Sequence, residues 1–333
     1  MKIAINGFGR IGRTFLRTIL QDKHAREKLE VVAINVGPAN REFTAHMFKY
    51  DTIMGTYQGN VSMRDNTLLI DNYAIKIFGE CDPSVLKWKD LNIEWVVDAS
   101  GAFTKREKAE LHLKAGAQKV LITAPATDED VSIVPGINLP SYDGKKHAIV
   151  SLGSCTTNAF IPMLKVLHDT FGITNGFMTT VHAYTNSQVL LDVEEKSLRL
   201  SRAAALNMIP TTTGASKMLA KVMPELGSLI KATSLRVPVG IVSLIDLTIN
   251  TQNAISVQAI NQAFEKAAQS YLKQIVAVSN EPLVSSDFKG NSHSVIIDAL
   301  STDTVGTTAK VLGWYDNEWG YSQRLKDFLM FIQ

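Results

Sequence analysis

The chain holds only two cysteines, Cys81 and Cys155, far apart in 333 residues, so it carries no disulfide framework and reads as a protein of a reducing compartment. No apolar stretch approaches the ~20 residues needed to span a bilayer, which argues against a transmembrane helix. No basic run is long enough for a nucleic-acid stripe or a membrane patch, and the formal net charge is only +2. The opening segment, MKIAINGFGR, runs straight into a patterned region and lacks the long apolar core of a secretory signal. A cytoplasmic protein without nucleic-acid or membrane partners is therefore expected. There is no low-complexity tract and no repeat of fixed period. No Cys/His pair stands at ligand spacing, so no metal is expected.

What is present is patterned. The length suffices for two domains, each with its own core. Lys2 to Asn6 (KIAIN) reads as a short apolar strand, followed by a Gly-rich turn. Arg10 to Gln21 then places Ile11, Phe15, Ile19 and Leu20 on one helical face. Leu29 to Val36 is a second apolar strand, and the alternation resumes with IEWVVDAS, KREKAELHLKAG and KVLITAP. Strand and helix in alternation predict a Rossmann-type parallel sheet.

The second half differs. GFMTTVHAY, SLIDLTINT and SVIIDA alternate as antiparallel strands with one covered face, while Ser216 to Leu226 and Ala259 to Leu272 read as amphipathic helices. Tyr184 to Ala205 shows little periodicity and is expected to be a long, functional surface loop. The fold class is thus α/β: a parallel-sheet domain over residues 1–150 and an α+β domain, mostly antiparallel, over 151–319. A C-terminal helix over 320–333 is expected to pack back on the first domain.

Gly7-Phe8-Gly9-Arg10-Ile11-Gly12 is a G-x-G-x-x-G between a strand and a helix, the context a dinucleotide site needs. Gly7 makes the tight turn, Gly9 lets backbone approach a pyrophosphate, and Gly12 lets helix pack on strand. Helix N-terminal amides then face the phosphate charge. One element is missing. The second strand ends Asn35-Val36-Gly37, where an Asp or Glu would hold the adenosine ribose of NAD. Val36 removes a repulsion toward the 2′-phosphate of NADP without supplying an attraction, and Arg41 is near enough in sequence to offer one. Asn35 and backbone groups are left to hold the ribose, with the choice between NAD and NADP open.

Cys155 stands in SCTTNAF, among hydroxyl and amide side chains that suit a presented thiol rather than a hidden one. A thiol of ordinary pKa, near ~8.5, is mostly protonated at neutral pH and needs a base or cation beside it. His182, in TTVHAYTN, ends a strand and begins the long loop, a place from which to face a cleft. Taken singly, an inert thiol and a satisfied strand-end histidine are the blander readings. Beside a nicotinamide site they make one chemistry, aldehyde oxidation through a thioester.

The chain resembles phosphorylating glyceraldehyde-3-phosphate dehydrogenases over essentially its whole length, in INGFGRIGR, KYDTIMG, SCTTN, TTVHAYTN, IPTTTGASK, LRVP and WYDNEWGYS. The resemblance implies oxidation and phosphorylation of D-glyceraldehyde 3-phosphate, with Cys155 as nucleophile and His182 as its base. It implies Ser154 and Thr156 as phosphate-binding residues, Thr185 and Arg236 for the substrate's phosphate, and Thr213, Gly214 and Arg199 for inorganic phosphate. It also implies Asn317 at the nicotinamide carboxamide with Tyr321 beside it, Arg10 and Ile11 at the pyrophosphate, and Thr123 near the cofactor. Members of the family are homotetramers.

Four departures stand out: Val36 for the ribose-binding acid, Cys81 for an Arg near the adenine, Val193-Glu194 in the long loop, and Ala159 for a second cysteine. None touches Cys155. Thr185-Asn186 and Thr213-Gly214 separate the chain from erythrose-4-phosphate dehydrogenases, which typically lack them. A non-catalytic nicotinamide-binding protein would have no need of a thiol nucleophile and two phosphate sites.

Overall fold

The computed structural model describes residues 1–195 and 197–333; Lys196, inside the expected long loop, lies outside the described residues. Two compact units emerge, one of residues 1–133, 139–153 and 322–333, the other of residues 134–138 and 154–321.

The first unit is built on a nine-stranded sheet. Its strands are β1 (Lys2–Asn6), β2 (Glu30–Asn35), β3 (Val61–Arg64), β4 (Thr67–Ile70), β5 (Tyr73–Phe78), β6 (Trp95–Asp98), β7 (Lys119–Ile122), β8 (Val131–Ser132) and β9 (Ile149–Ser151). They lie in the order β3-β4-β5-β2-β1-β6-β7-β9-β8. From β5 onward every pairing is parallel. Helices α1 (Arg10–Gln21), α2 (Lys23–Lys28), α3 (Thr44–Lys49) and α4 (Arg106–Lys114) fill connections between strands. The central strands are buried, as parallel strands covered on both faces must be.

The β3–β5 meander was not anticipated. Its strands are short, four to six residues each, and only β4 and β5 bury side chains, Leu68, Ile70, Ile75 and Ile77, at alternate positions, too few for a strong period-two signal. The local cue lay in the turns: two Asp-Asn loops, with Asp65 and Asp71 at φ 51° and 50°, a left-handed conformation that short polar side chains tolerate.

The Gly-rich turn shows what each glycine does. Gly7 has φ 89°, and a Cβ there would lie 2.5 Å from the Ser100 backbone. A Cβ on Gly12 would lie 2.2 Å from the Gly7 carbonyl oxygen. Around Gly9, by contrast, an added Cβ meets nothing within 4 Å, and φ is ordinary. Gly12→Ala is expected to cost about 1–3 kcal/mol through overpacking. Gly9→Ala should leave thermal stability unchanged while weakening dinucleotide binding, and paired melting and binding curves check both.

The second unit carries β10 (Ile173–Ala183), β11 (Ile209–Thr211), β12 (Ile230–Val237), β13 (Ser243–Thr251), β14 (Val276–Ser279), β15 (Val295–Val305) and β16 (Thr308–Tyr315). The order is β11-β12-β10-β13-β16-β15-β14, antiparallel except at β10·β12 and β14·β15. Helices α5 (Cys155–Phe171), α6 (Ala215–Val222) and α7 (Val257–Gln269) belong to this unit. In β13 the residues Ile245, Leu247 and Ile249 alternate into a core that α5 and α7 close with Phe160, Leu164, Leu167 and Phe264.

The chain ends in α8 (Trp319–Phe331). Within the first unit its Phe328 meets the rings of Trp95 and Tyr142 edge-on, at 5.8 and 5.3 Å, and Lys326 Nζ is 2.7 Å from Asp22 Oδ2.

One helical expectation is corrected, and one helix is added. Ser216 to Leu226 is not one helix: α6 stops at Val222 and a 3-10 turn takes Pro224–Leu226, because Pro224 forces Met223 out of the helical region. Helix α5 was not anticipated at all. Pro162 sits within it, and three of its first four residues are Thr or Asn, poor helix formers. Burial of Phe160, Ile161, Met163, Leu164, Val166 and Leu167 overrides that local preference.

Candidate active site

Cys155 is the first residue of α5. Ser154 caps the helix, its Oγ accepting the Thr157 amide at 3.2 Å. The thiol thus lies at the positive end of a 17-residue helix, where a thiolate is favoured. Burial pushes the Cys155 thiol up, and the charge of Arg236 pulls against that shift.

His182 is the next-to-last residue of β10, and β12 runs parallel beside it in a register that pairs His182 with Arg236. That pairing sets the site. Cys155 Sγ is 3.5 Å from His182 Nε2. On the other side of the ring, Nδ1 lies 2.6 Å from the Ala183 carbonyl oxygen and 2.6 Å from Arg236 Nη1, which is itself 3.0 Å from that oxygen. A guanidinium only donates, so with Arg236 in this position Nδ1 accepts and the ring proton sits on Nε2. With Arg236 turned away, Nδ1–H donates to Ala183 and Nε2 is left to accept the thiol proton.

Burial, then the Arg236 charge, lowers the His182 pKa to about 3, so the ring is neutral at physiological pH. The unfolded chain binds a proton here below about 6.5 while the folded chain does not. Stability held above pH 6.5 is therefore lost as pH falls toward 3. A His182→Gln variant should lose less of its urea midpoint between pH 7 and pH 5 than the parent.

Tyr315, at the end of β16, was not picked out as a functional residue. Its buried hydroxyl is hydrogen-bonded to Thr156 Oγ1 at 3.0 Å and Thr180 Oγ1 at 2.7 Å, and its ring lies edge-on to His182 at 6.0 Å. It ties the first turn of α5 to β10, and burial raises its own pKa. The cue in sequence was its place in WYDNEWGYS, beside Asn317. Ser243 does similar work, accepting the Ala183 amide at 3.1 Å and donating to Asn317 Oδ1 at 3.2 Å. Tyr321 is buried, which raises its pKa well above the ordinary value.

Hydrogen bonds and packing bring Ser154, Cys155, Thr156, His182 and Arg236 together. Thr185 lies in the segment after β10, bonded to Ser187 Oγ at 2.9 Å. Gly214 caps α6, and Thr213 Oγ1 accepts the Ala215 amide at 3.3 Å, so this pair presents a helix N-terminus suited to an anion. Arg199 is exposed on the long loop. Among the described residues no group of three or more His, Cys, Asp and Glu could hold a metal ion.

The first unit holds a cavity of about 690 Å³, a volume suited to a cofactor, lined by Gly7, Gly9, Val36, Glu80, Cys81 and Phe103 among others. The space around Gly9 fits a close-lying pyrophosphate. Arg10 is ion-paired with Asp51. Asn35 lines the cavity, but its carboxamide is engaged with protein: Nδ2 donates to Asn6 Oδ1 and Glu80 O, and Oδ1 accepts from Glu80 N. Asn6 in turn donates to Asp98 Oδ2 at 2.9 Å. Arg10, Ile11, Gly12 and Thr123 are not among the lining residues. The buried Asp98 and His112 beneath this network were not singled out in the sequence, and Asp98 Oδ2 lies 3.1 Å from His112 Nε2.

Comparison with known proteins bears on both units. The family model for the glyceraldehyde 3-phosphate dehydrogenase NAD binding domain matches residues 1–106, and that for the C-terminal domain of the same family matches residues 154–317. Glyceraldehyde-3-phosphate dehydrogenase 1 of Bacillus cereus is 47% identical over 99% of this chain and 98% of its own. The Geobacillus stearothermophilus enzyme of that name is 47% identical over 100% and 98%. That of Thermotoga maritima is 46% identical over 98% of each.

Proposed function

Because the chain belongs to the glyceraldehyde 3-phosphate dehydrogenase family, we propose that it oxidises D-glyceraldehyde 3-phosphate and releases the product as 1,3-bisphosphoglycerate. The observation that carries this reading is the 3.5 Å approach of Cys155 Sγ to His182 Nε2 at the N-terminus of α5. Arg236 binds the substrate's phosphate with Thr185, which draws the guanidinium off His182 Nδ1. Nδ1–H then donates to Ala183 O, and Nε2 takes the Cys155 proton. The thiolate adds to the aldehyde carbon, and the Cys155 amide and helix N-terminus steady the oxyanion. When bound, the nicotinamide dinucleotide accepts the hydride that leaves this carbon. Inorganic phosphate, held by Thr213, Gly214 and Arg199, attacks the Cys155 thioester, and Cys155 departs as thiolate.

Gly7, Gly9 and the amides of the α1 N-terminus would hold the pyrophosphate, and Asn317, with Tyr321 beside it, the carboxamide. NAD is the cofactor, although Val36 leaves no acid at the end of β2 to bar NADP. The enzyme works as a homotetramer in the cytoplasm. No described helix is long and apolar enough to cross a membrane. Initial rates with glyceraldehyde 3-phosphate and inorganic phosphate, titrating NAD and NADP separately, test the reading. Phosphate-dependent reduction of either cofactor is expected, and no turnover with both would overturn it.

A further inference from the structure

The pocket has no acid at the end of β2, yet it has one nearby. Strand β5 pairs with β2 in parallel, Asn35 opposite Phe78, and the Val36 amide donates to Phe78 O at 2.9 Å. The chain leaving β5 therefore runs beside the chain leaving β2. Two residues on stands Glu80, exposed and lining the same cavity as Val36 and Gly37. Its backbone is gripped from below by Asn35: Glu80 N donates to Oδ1 and Glu80 O accepts from Nδ2, each at 2.9 Å. Asn35 is itself held by Asn6 at 2.8 Å, and Asn6 by Asp98. A chain of buried side chains thus fixes the backbone of a residue whose carboxylate is left to solvent and ligand.

Arg41 is the opposing charge. It lies between the lining residues Asn40 and Phe43, and a Cβ on Gly79 would come within 3.2–3.5 Å of its Cγ, Cδ and Nε. Its stem therefore packs beside the backbone that leads into Glu80. Among the described residues no ion pair joins the two.

We propose that Glu80 is the residue that sets cofactor preference, delivering from the end of β5 the carboxylate that β2 lacks. It accepts hydrogen bonds from the adenosine ribose hydroxyls and repels a 2′-phosphate, while Arg41 supplies an attraction that Glu80 overrides. This rests on the reading of the cavity as the dinucleotide site.

Direct calorimetric titration of NAD and NADP against the parent, Glu80→Gln, Arg41→Ala and the double variant tests it without turnover. Both residues are exposed, so each variant is expected to fold, and melting curves check this. Glu80→Gln should lower Kd(NADP)/Kd(NAD) by about tenfold or more, the scale of one charged hydrogen bond. Arg41→Ala should weaken NADP binding alone, and the double variant should lose most of the gain seen in Glu80→Gln. An unchanged ratio in Glu80→Gln, or equal changes for both cofactors, would overturn the assignment. Failure of the parent to bind either cofactor would instead sink the reading of the cavity.

Discussion

Cys155→Ser is expected to lower kcat by about 10⁴-fold or more, since the reaction proposed runs through a bond to sulfur and a serine hydroxyl stays protonated at neutral pH. The substitution suits its place. Serine is tolerated at the start of a helix, the Ser154 cap does not involve the Cys155 side chain, and the volume change is small. Melting temperature and dinucleotide affinity should therefore hold while turnover is lost. Activity comparable to the parent's in the serine variant would rule out the thioester route, whatever the family.

His182→Asn is expected to lower kcat/KM by about 10²–10⁴-fold, the range typical of a lost general base. The thiol lies close to His182 Nε2 and is itself pushed up by burial, so without the base little thiolate forms at neutral pH. The sign of the pH dependence follows. As pH rises the thiol ionises unaided, so the deficit of the variant relative to the parent should narrow at alkaline pH. Alkylation of Cys155 by iodoacetamide, followed against pH in both proteins, reads this apart from hydride transfer. Equal alkylation rates at neutral pH would mean His182 is not the base, and that Arg236 and the helix terminus activate the thiol alone.

Some of the molecule was legible residue by residue. The Gly-rich turn could be read because its requirements are local: the positive φ of Gly7 and the contact at Gly12 each span a few residues of backbone. Strand β13 could be read because one covered face imposes a period of two, which SLIDLTINT shows. The 184–205 segment could be read as a loop because nothing in it repeats at either period. Helix α5 could not, since Pro162 and the Thr-rich start speak against it and only core burial decides in its favour.

The chemistry divides in the same way. Sequence by itself determined the components, namely a dinucleotide turn, a thiol among polar neighbours and a strand-end histidine, because residue type and local pattern state what each can do. It also showed that β2 ends without an acid. Tertiary structure alone decided what those components meet. The parallel register of β10 and β12 places Arg236, 54 residues on, against His182; Tyr315, 159 residues from Thr156, braces α5 from β16; and the pairing of β2 with β5 brings Glu80, 45 residues after Asn35, to the rim where Val36 stands. Hydrogen-bond registers between distant strands carry these juxtapositions, and no local pattern encodes a register, because it is the burial of both strands together that selects it.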